Sequence, residues 1–259
     1  MSRRALGFVI FAILVAAGCV RLGFWQLHRL ADRRAANAKL AERLSMPAAP
    51  ALEAMRDTAS AEYRRATATG TFVWGHELSL AARTHEGSPG ANILTPLRVP
   101  GTDTAVLINR GWVYAADAMS VDFARWREPN TAAITGYLVE IPRGRPGMVS
   151  TRSNPRVVRR LEYDSLAKRL PYPIARFILV ATEIRSPGSR PASRDSTPAR
   201  LPTPLLDEGP HLGYAIQWFA FAVIGLVGAA VVARADRRGR LPATRAQSGT
   251  ITSSSTRHG

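Results

Sequence analysis

The feature that most constrains the fold is an uncharged stretch near the C-terminus, residues 211–233. At about 1.5 Å per residue in a helix, it is long enough to cross the roughly 30 Å hydrocarbon core of a bilayer. A membrane anchor needs that length and flanking cations, which here are Arg234, Arg237, Arg238 and Arg240. It does not need polar and aromatic residues in its first turns. We therefore expect more than anchoring from this helix, which carries His211, Tyr214, Gln217 and Trp218.

A second apolar run, residues 5–20, lies near the N-terminus and follows Ser2-Arg3-Arg4. We expect an uncleaved helix over residues 6–27, with Trp25 in the interfacial aromatic belt and Arg21 reaching toward the same interface. Three alternatives stay open: a cleaved signal peptide, a lipoprotein signal that ends at Cys19, and a twin-arginine export signal.

Charge asymmetry around the second span predicts the orientation of the chain. Asp207 and Glu208 precede the span and arginines follow it, which places its C-terminal end in the cytoplasm. With two spans the N-terminus is cytoplasmic as well, and residues 28–210 face the periplasm or the outer side. The predicted location is the inner membrane of a bacterial cell.

The segment between the spans predicts a β-rich domain. From Arg65 the hydrophobic period becomes two, which is typical of a half-buried strand, and residues 78–83 are expected to pair with that strand. The fold class is therefore a membrane protein whose two transmembrane α-helices flank an external β-rich α+β domain, either an antiparallel sheet or a small barrel. The predicted divisions are a cytoplasmic N-terminus (1–5), a transmembrane helix (6–27), a helical extension and connector (28–64), the external domain (65–185), a proline-, arginine- and serine-rich linker (186–210), a second transmembrane helix (211–233) and a basic disordered cytoplasmic tail (234–259). Within the connector, residues 47–56 are rich in proline and alanine and are expected to form a loose segment.

Composition excludes several function classes. The formal charge is +16, but half of the excess comes from the membrane flanks and the tail, so we expect no nucleic-acid partner. Cys19 is the single cysteine, which rules out an internal disulfide or a cysteine-rich zinc site. We expect no enzyme, because the sequence contains no phosphate loop and no nucleophile elbow. The pairs His76-Glu77 and His85-Glu86 do not have the spacing of a zinc site.

The run Asn109-Arg110-Gly111-Trp112 ends a predicted strand. One interpretation is a structural strand-to-turn corner in which the glycine permits the turn. The other is a binding role, in which Arg110 contacts a carboxylate.

Five motifs in order along the chain resemble those of the Surfeit-locus-one family of cytochrome c oxidase assembly factors. They are residues 22–30 (LGFWQLHRL), residues 70–72 with 95–97 (GTF and TPL), residues 106–113 (VLINRGWV), residues 135–136 (TG) and residues 211–219 (HLGYAIQWF). The resemblance covers both spans and the domain between them, whereas residues 142–160 and 186–204 match poorly.

The resemblance implies a role in building the haem-containing catalytic subunit of the oxidase, with other respiratory subunits as further partners and haem a as the cofactor. It also implies that His211 is the haem ligand. Tyr214 and Trp218 share a helix face with it, so their rings could pack on a porphyrin. An alternative for His211 is an interfacial residue that anchors the helix.

Antiparallel spans would place His28 at the same depth as His211, so His28 is either an interfacial residue or a further candidate ligand, with Arg29 as a candidate propionate partner. A rival interpretation is a stable accessory subunit of the oxidase without haem; another is an exported binding lipoprotein anchored at Cys19. The residues predicted to make interactions are Trp25, Gln26, Arg29, Asn109, Arg110, Trp112 and Gln217.

Overall fold

A computed structural model of the chain describes residues 1–144, 150–151, 154–186 and 196–238. The helices are α1 (Arg3–Ser45), α2 (Ala51–Ala54), α3 (Thr58–Ala61), α4 (Tyr163–Arg169) and α5 (His211–Arg238). The strands are β1 (Ala49–Pro50), β2 (Arg65–Phe72), β3 (Leu78–His85), β4 (Ser88–Arg98), β5 (Ala105–Tyr114), β6 (Thr131–Glu140), β7 (Ser150–Thr151), β8 (Asn154–Val158) and β9 (Ile174–Arg185). The chain forms two compact units, one from Met1–Arg34 with Glu208–Gly259 and one from Ala35–Asp207.

The first unit contains two antiparallel helical segments. Their contacts are Ser2 with Asp236, Ala12 with Gly225, Gly23 with Phe219, Gln26 with His211 and Arg34 with Glu208. Small buried residues line the seam: Ala5, Ala12, Ala16, Cys19 and Gly23 on α1, and Ala215, Ala222 and Ala229 on α5. Small side chains let two helix backbones approach closely, which is how helices associate in membranes.

Both helices are long and apolar enough to cross a membrane. Only 17% of the most apolar window of each helix is buried, whereas a core helix of a soluble protein would be mostly buried. Large apolar side chains point outward along both, among them Phe11 (64% exposed) and Ile224 (65% exposed). This surface is consistent with a membrane protein.

Both predicted spans are parts of longer helices. α1 begins at Arg3 and continues to Ser45, so the first span and the predicted extension are one helix. α5 continues through the arginines to Arg238. Residues 234–238 are therefore helical instead of part of a disordered tail, and the rest of that tail, 239–259, lies outside the described residues.

The second unit is built on a closed ring of five strands. The neighbours around the ring are β2, β6, β9, β5 and β4, and β4 pairs again with β2. Strands β3, β8 and β7 extend the sheet beyond β4, and β1 lies beside β2. Of the two predicted forms, the ring is the small barrel.

Two hydrophobic clusters follow from the alternation of side chains along these strands. One draws on all five ring strands and therefore fills the ring; its larger members include Phe72, Leu97, Ile108, Ile134 and Phe177. The other lies on the opposite face and includes Leu166 and Leu170 from the α4 region. In β9 the residues alternate between the clusters, with Phe177 in the first and Ile178 in the second.

Three expectations about this unit are wrong. The sheet is mixed instead of antiparallel, because β1–β2, β3–β8 and β5–β9 are parallel pairs. Strand β3 pairs with β4 and β8 and not with β2. The loose connector expected after residue 47 contains β1 and α2, whose Ala51 and Ala54 are buried in the core that fills the ring.

Candidate functional site

His211 is the first residue of α5, and its imidazole is hydrogen-bonded to α1. The Nδ1 atom lies 2.9 Å from the amide oxygen Oε1 of Gln26. An amide oxygen only accepts hydrogen bonds, so Nδ1 carries the proton and donates it. In a neutral imidazole with this hydrogen bond, Nε2 is the nitrogen without a proton, which is the form that coordinates a metal.

His28 carries its Nδ1 proton for a similar reason. Its Nδ1 lies 2.7 Å from the backbone carbonyl oxygen of Phe24, one turn earlier in α1. Its exposed side chain helps to line a cavity of about 650 Å³, together with Arg21, Leu22, Phe24 and Trp25 of α1.

His28 and His211 lie at matched depth but not on one side of α1. Gln26, which contacts His211, precedes His28 by two residues, or about 3 Å along the helix axis. Two residues also correspond to a rotation of about 200°, so His28 points away from the side of α1 that faces His211. The two histidines therefore do not converge on one site between the helices.

The aromatic residues after His211 lie in two environments. Trp218 packs partly buried against Ala16, Cys19 and Ala222, and its ring is 6.0 Å from that of Phe221 in an edge-to-face arrangement. Tyr214 is 47% exposed. Of the two predicted ring-stacking residues, Tyr214 is thus the more exposed.

The remaining predicted interaction residues of the helical unit are exposed. These are Trp25, Arg29 and Gln217. Their interaction roles stay predictions.

The motif at Asn109–Trp112 lies inside β5 and is mostly buried. Arg110 is 0% exposed, and its Nε donates to a Glu128 carboxylate oxygen at 2.8 Å. The same guanidinium donates to the Trp126 carbonyl oxygen and lies over the Phe72 and Trp74 rings. Burial lowers the pKa of Arg110, and Glu128 opposes that shift. The carboxylate that Arg110 contacts thus belongs to the chain itself, which favours the structural interpretation over a binding role. The predicted strand-to-turn corner is wrong, because β5 continues through the motif to Tyr114.

Gly111 and Trp112 join β5 to the predicted linker. Trp112 and Ala199 form a two-residue antiparallel bridge, with N–H···O distances of 2.8 and 2.7 Å. Arg200 reaches the same place, where it donates to the Arg110 carbonyl oxygen and to Glu128. Ala199 and Arg200 of the predicted linker are therefore held on the barrel, while residues 187–195 lie outside the described residues.

A second buried carboxylate was missed by the sequence analysis. Glu77 is 0% exposed and accepts hydrogen bonds from the Gly75 amide at 2.6 Å and from Arg156 at 2.5 Å. No local pattern signals it, because Arg156 lies far along the chain. Its neighbour His76 bonds to the Tyr172 hydroxyl at 2.9 Å, and His85 lies against the Trp112 ring. Among the described residues no three metal-ligating side chains form a group.

Comparison with known proteins places the chain among relatives of one type. The family model described as the SURF1 family matches residues 13–223. An uncharacterized SURF1-like protein of Mycobacterium bovis is 28% identical over 244 residues, covering 91% of this chain and 85% of its own length. A SURF1-like protein of Rickettsia bellii is 24% identical over 86% of this chain and 87% of its own length. A SURF1-like protein of Monosiga brevicollis is 28% identical over 53% of this chain and 56% of its own.

Proposed function

The chain belongs to the SURF1 family, known generally as oxidase assembly factors, and on that premise we propose that it helps to assemble the catalytic subunit of cytochrome c oxidase by holding haem a for insertion. The protein would act by binding and presentation, without a chemical step of its own.

The proposed haem binding is supported by the hydrogen bond of His211 and the tautomer that this bond favours. Its Nδ1 donates to Gln26, so Nε2 keeps its lone pair. Histidine ligands in metal sites typically have this arrangement, with one nitrogen on the metal and the other N–H donated to an acceptor. When bound, the haem would supply an iron atom, and the neutral imidazole of His211 would hold it.

Of the two aromatic residues predicted to stack on a tetrapyrrole, Tyr214 is exposed and Trp218 packs in the seam between the helices. Tyr214 lies one turn after His211 and presents an exposed ring for stacking. Trp218 supports α5 from the seam, where it packs against Ala16 and Cys19. Because His28 points away from this side of α1, we assign one histidine ligand from this chain, His211.

We also propose that the helices span the inner membrane with both termini in the cytoplasm. Asp236 near the end of α5 accepts a hydrogen bond from the Ser2 amide at 3.0 Å, and it lies 3.8 Å from the N-terminal ammonium. This contact supports termini on one side of the membrane. The arginines of the last turn, Arg237 and Arg238, favour the cytoplasm for that side.

The experiment is deletion of the gene from its own host, followed by complementation. We expect the deletion strain to contain oxidase with reduced haem a per catalytic subunit. The wild-type gene should restore the haem a content, and His211→Ala should restore it only in part. Normal haem a content in the deletion strain would contradict the proposal. Stoichiometric co-purification of a haem-free protein with mature oxidase would instead favour the accessory-subunit interpretation.

A further inference from the structure

We propose that Gln26 is the positioning residue of the haem site: its side-chain amide holds His211 in the tautomer and orientation that present Nε2. This inference rests on the proposed haem role of His211. It assigns to Gln26 a task distinct from contact with the haem itself.

The hydrogen bond determines which nitrogen is available. A free histidine exchanges its proton between Nδ1 and Nε2, and only the deprotonated nitrogen binds a metal. The Gln26 oxygen, 2.9 Å from Nδ1, accepts the proton of that nitrogen and so selects the tautomer with a free Nε2. It also fixes the rotation of the ring, because Nδ1 must stay directed at α1.

The packing of α1 against α5 places the Gln26 side chain within hydrogen-bond distance of His211. Gln26 lies on the same helix face as the buried residues Cys19, Gly23 and Leu30, at spacings of three, four and seven. Gly23 lies three residues before it, and a Cβ atom there would be 2.6 Å from the Phe219 ring. The absence of that atom lets α5 approach α1 about one helical turn from the place where Gln26 meets His211.

The strength of the His211–Gln26 hydrogen bond depends on the acceptor, which is a neutral amide oxygen. A carboxylate accepts a shorter and stronger hydrogen bond than a neutral amide does. A stronger acceptor on Nδ1–H makes the imidazole a more basic ligand. With glutamine at this position the ligand is held in place but remains of moderate strength, which suits a protein that must give its haem to a recipient.

The test uses full-length protein in detergent, titrated with haemin as the probe. The variants are Gln26→Leu, which removes the acceptor, and Gln26→Glu, which replaces the amide with a carboxylate. Asn37→Leu is the matched control, because the Asn37 amide donates to the Asp207 carbonyl oxygen at 3.1 Å and does not contact His211. The readouts are haemin affinity from the Soret band, the reduction potential of the bound haem, and thermal unfolding of the haem-free protein.

We expect Gln26→Leu to weaken haemin binding about 10- to 100-fold, the usual effect of removing an outer hydrogen-bond partner of a metal ligand. We expect Gln26→Glu to bind at least as tightly as wild type and to lower the reduction potential, because a more basic ligand favours ferric iron. Asn37→Leu should match wild type in haemin affinity and in the reduction potential of the bound haem.

Two results would overturn the inference: Gln26→Leu with wild-type affinity and potential, or Gln26→Glu and Gln26→Leu with the same potential. A His211→Ala variant separates this failure from that of the proposed function. If His211→Ala loses haemin and the Gln26 variants do not differ, only the positioning role is wrong. If His211→Ala binds haemin as wild type does, the ligand assignment itself is wrong.

Discussion

Gly111 lies so close to Ala199 that a Cβ atom added to Gly111 would be 2.3 Å from the Ala199 carbonyl oxygen. Gly111 also has a φ angle of 126°, in the region that favours glycine. The glycine of the Asn109–Trp112 motif therefore serves two requirements at once. Gly111 allows an irregular register between β4 and β5. Its missing Cβ also leaves room for the backbone at Ala199 to pack against the barrel.

We predict that Gly111→Ala destabilises the protein by about 2 kcal/mol or more, through backbone strain and the clash with Ala199. The measurement is thermal or denaturant unfolding of the full-length protein in detergent. Gly101→Ala is the control, because Gly101 also has a positive φ of 78° but has open space around its missing Cβ. Equal losses in the two variants would show that the contact with Ala199 contributes nothing.

The buried charges of Arg110 and Glu128 support a second prediction. Glu128→Ala removes the carboxylate partner of a fully buried guanidinium, and breaking such a pair costs about 3–5 kcal/mol. Glu183→Ala is the surface control, because its pair with Arg185 is exposed and is expected to contribute less than about 1 kcal/mol. Unfolding free energies that fall equally in both variants would contradict this account of the motif.

Helix packing in the first unit can be tested through Cys19, the only cysteine of the chain, which is buried in the seam. We predict that Gly23→Val exposes Cys19 to a membrane-permeant maleimide, because the added side chain collides with the Phe219 ring. Gly7→Val should leave labelling unchanged, because nothing lies within 4 Å of a Cβ atom at Gly7. Slow labelling in both variants would mean that the seam does not need glycine at position 23, and fast labelling of wild type would mean that Cys19 is not buried between the helices.

A turn after β5 supports a prediction about pH. Asp117 accepts hydrogen bonds from the Met119 and Ser120 amides and from the Ser120 hydroxyl, which lower its pKa to about 2. A depressed carboxyl pKa contributes stability above the unfolded value of about 3.9 and loses it as the pH falls toward 2. We expect Asp117→Asn to lose less stability than wild type across that interval in acid unfolding. Parallel stability curves between pH 4 and 2 would contradict this role.

The sequence predicts local features of this protein better than its long-range contacts. The apolar runs at residues 6–27 and 211–233 and the alternation after Arg65 depend on neighbouring residues, and each lies within a helix or strand of the structure. The parallel pairing of β5 with β9 joins segments far apart in the chain, so no local pattern signals it.

The candidate site shows the same division. The composition of the second span draws attention to His211, but its hydrogen bond crosses 185 positions to Gln26. Likewise, Arg200 lies in a proline-rich segment that looks like a linker, and only the fold shows that it meets Arg110 and Glu128. Matched depth predicted that His28 and His211 act together, but the rotation of α1 between Gln26 and His28 separates them.

The central claim is that His211 binds haem through Nε2. The most direct measurement is the absorption spectrum of full-length protein purified in detergent from cells that make haem a, compared with His211→Ala and His28→Ala. We predict that wild type and His28→Ala retain haem with the spectrum of a histidine-ligated iron, and that His211→Ala loses most of it. Full haem occupancy and an unchanged spectrum in His211→Ala would contradict the claim.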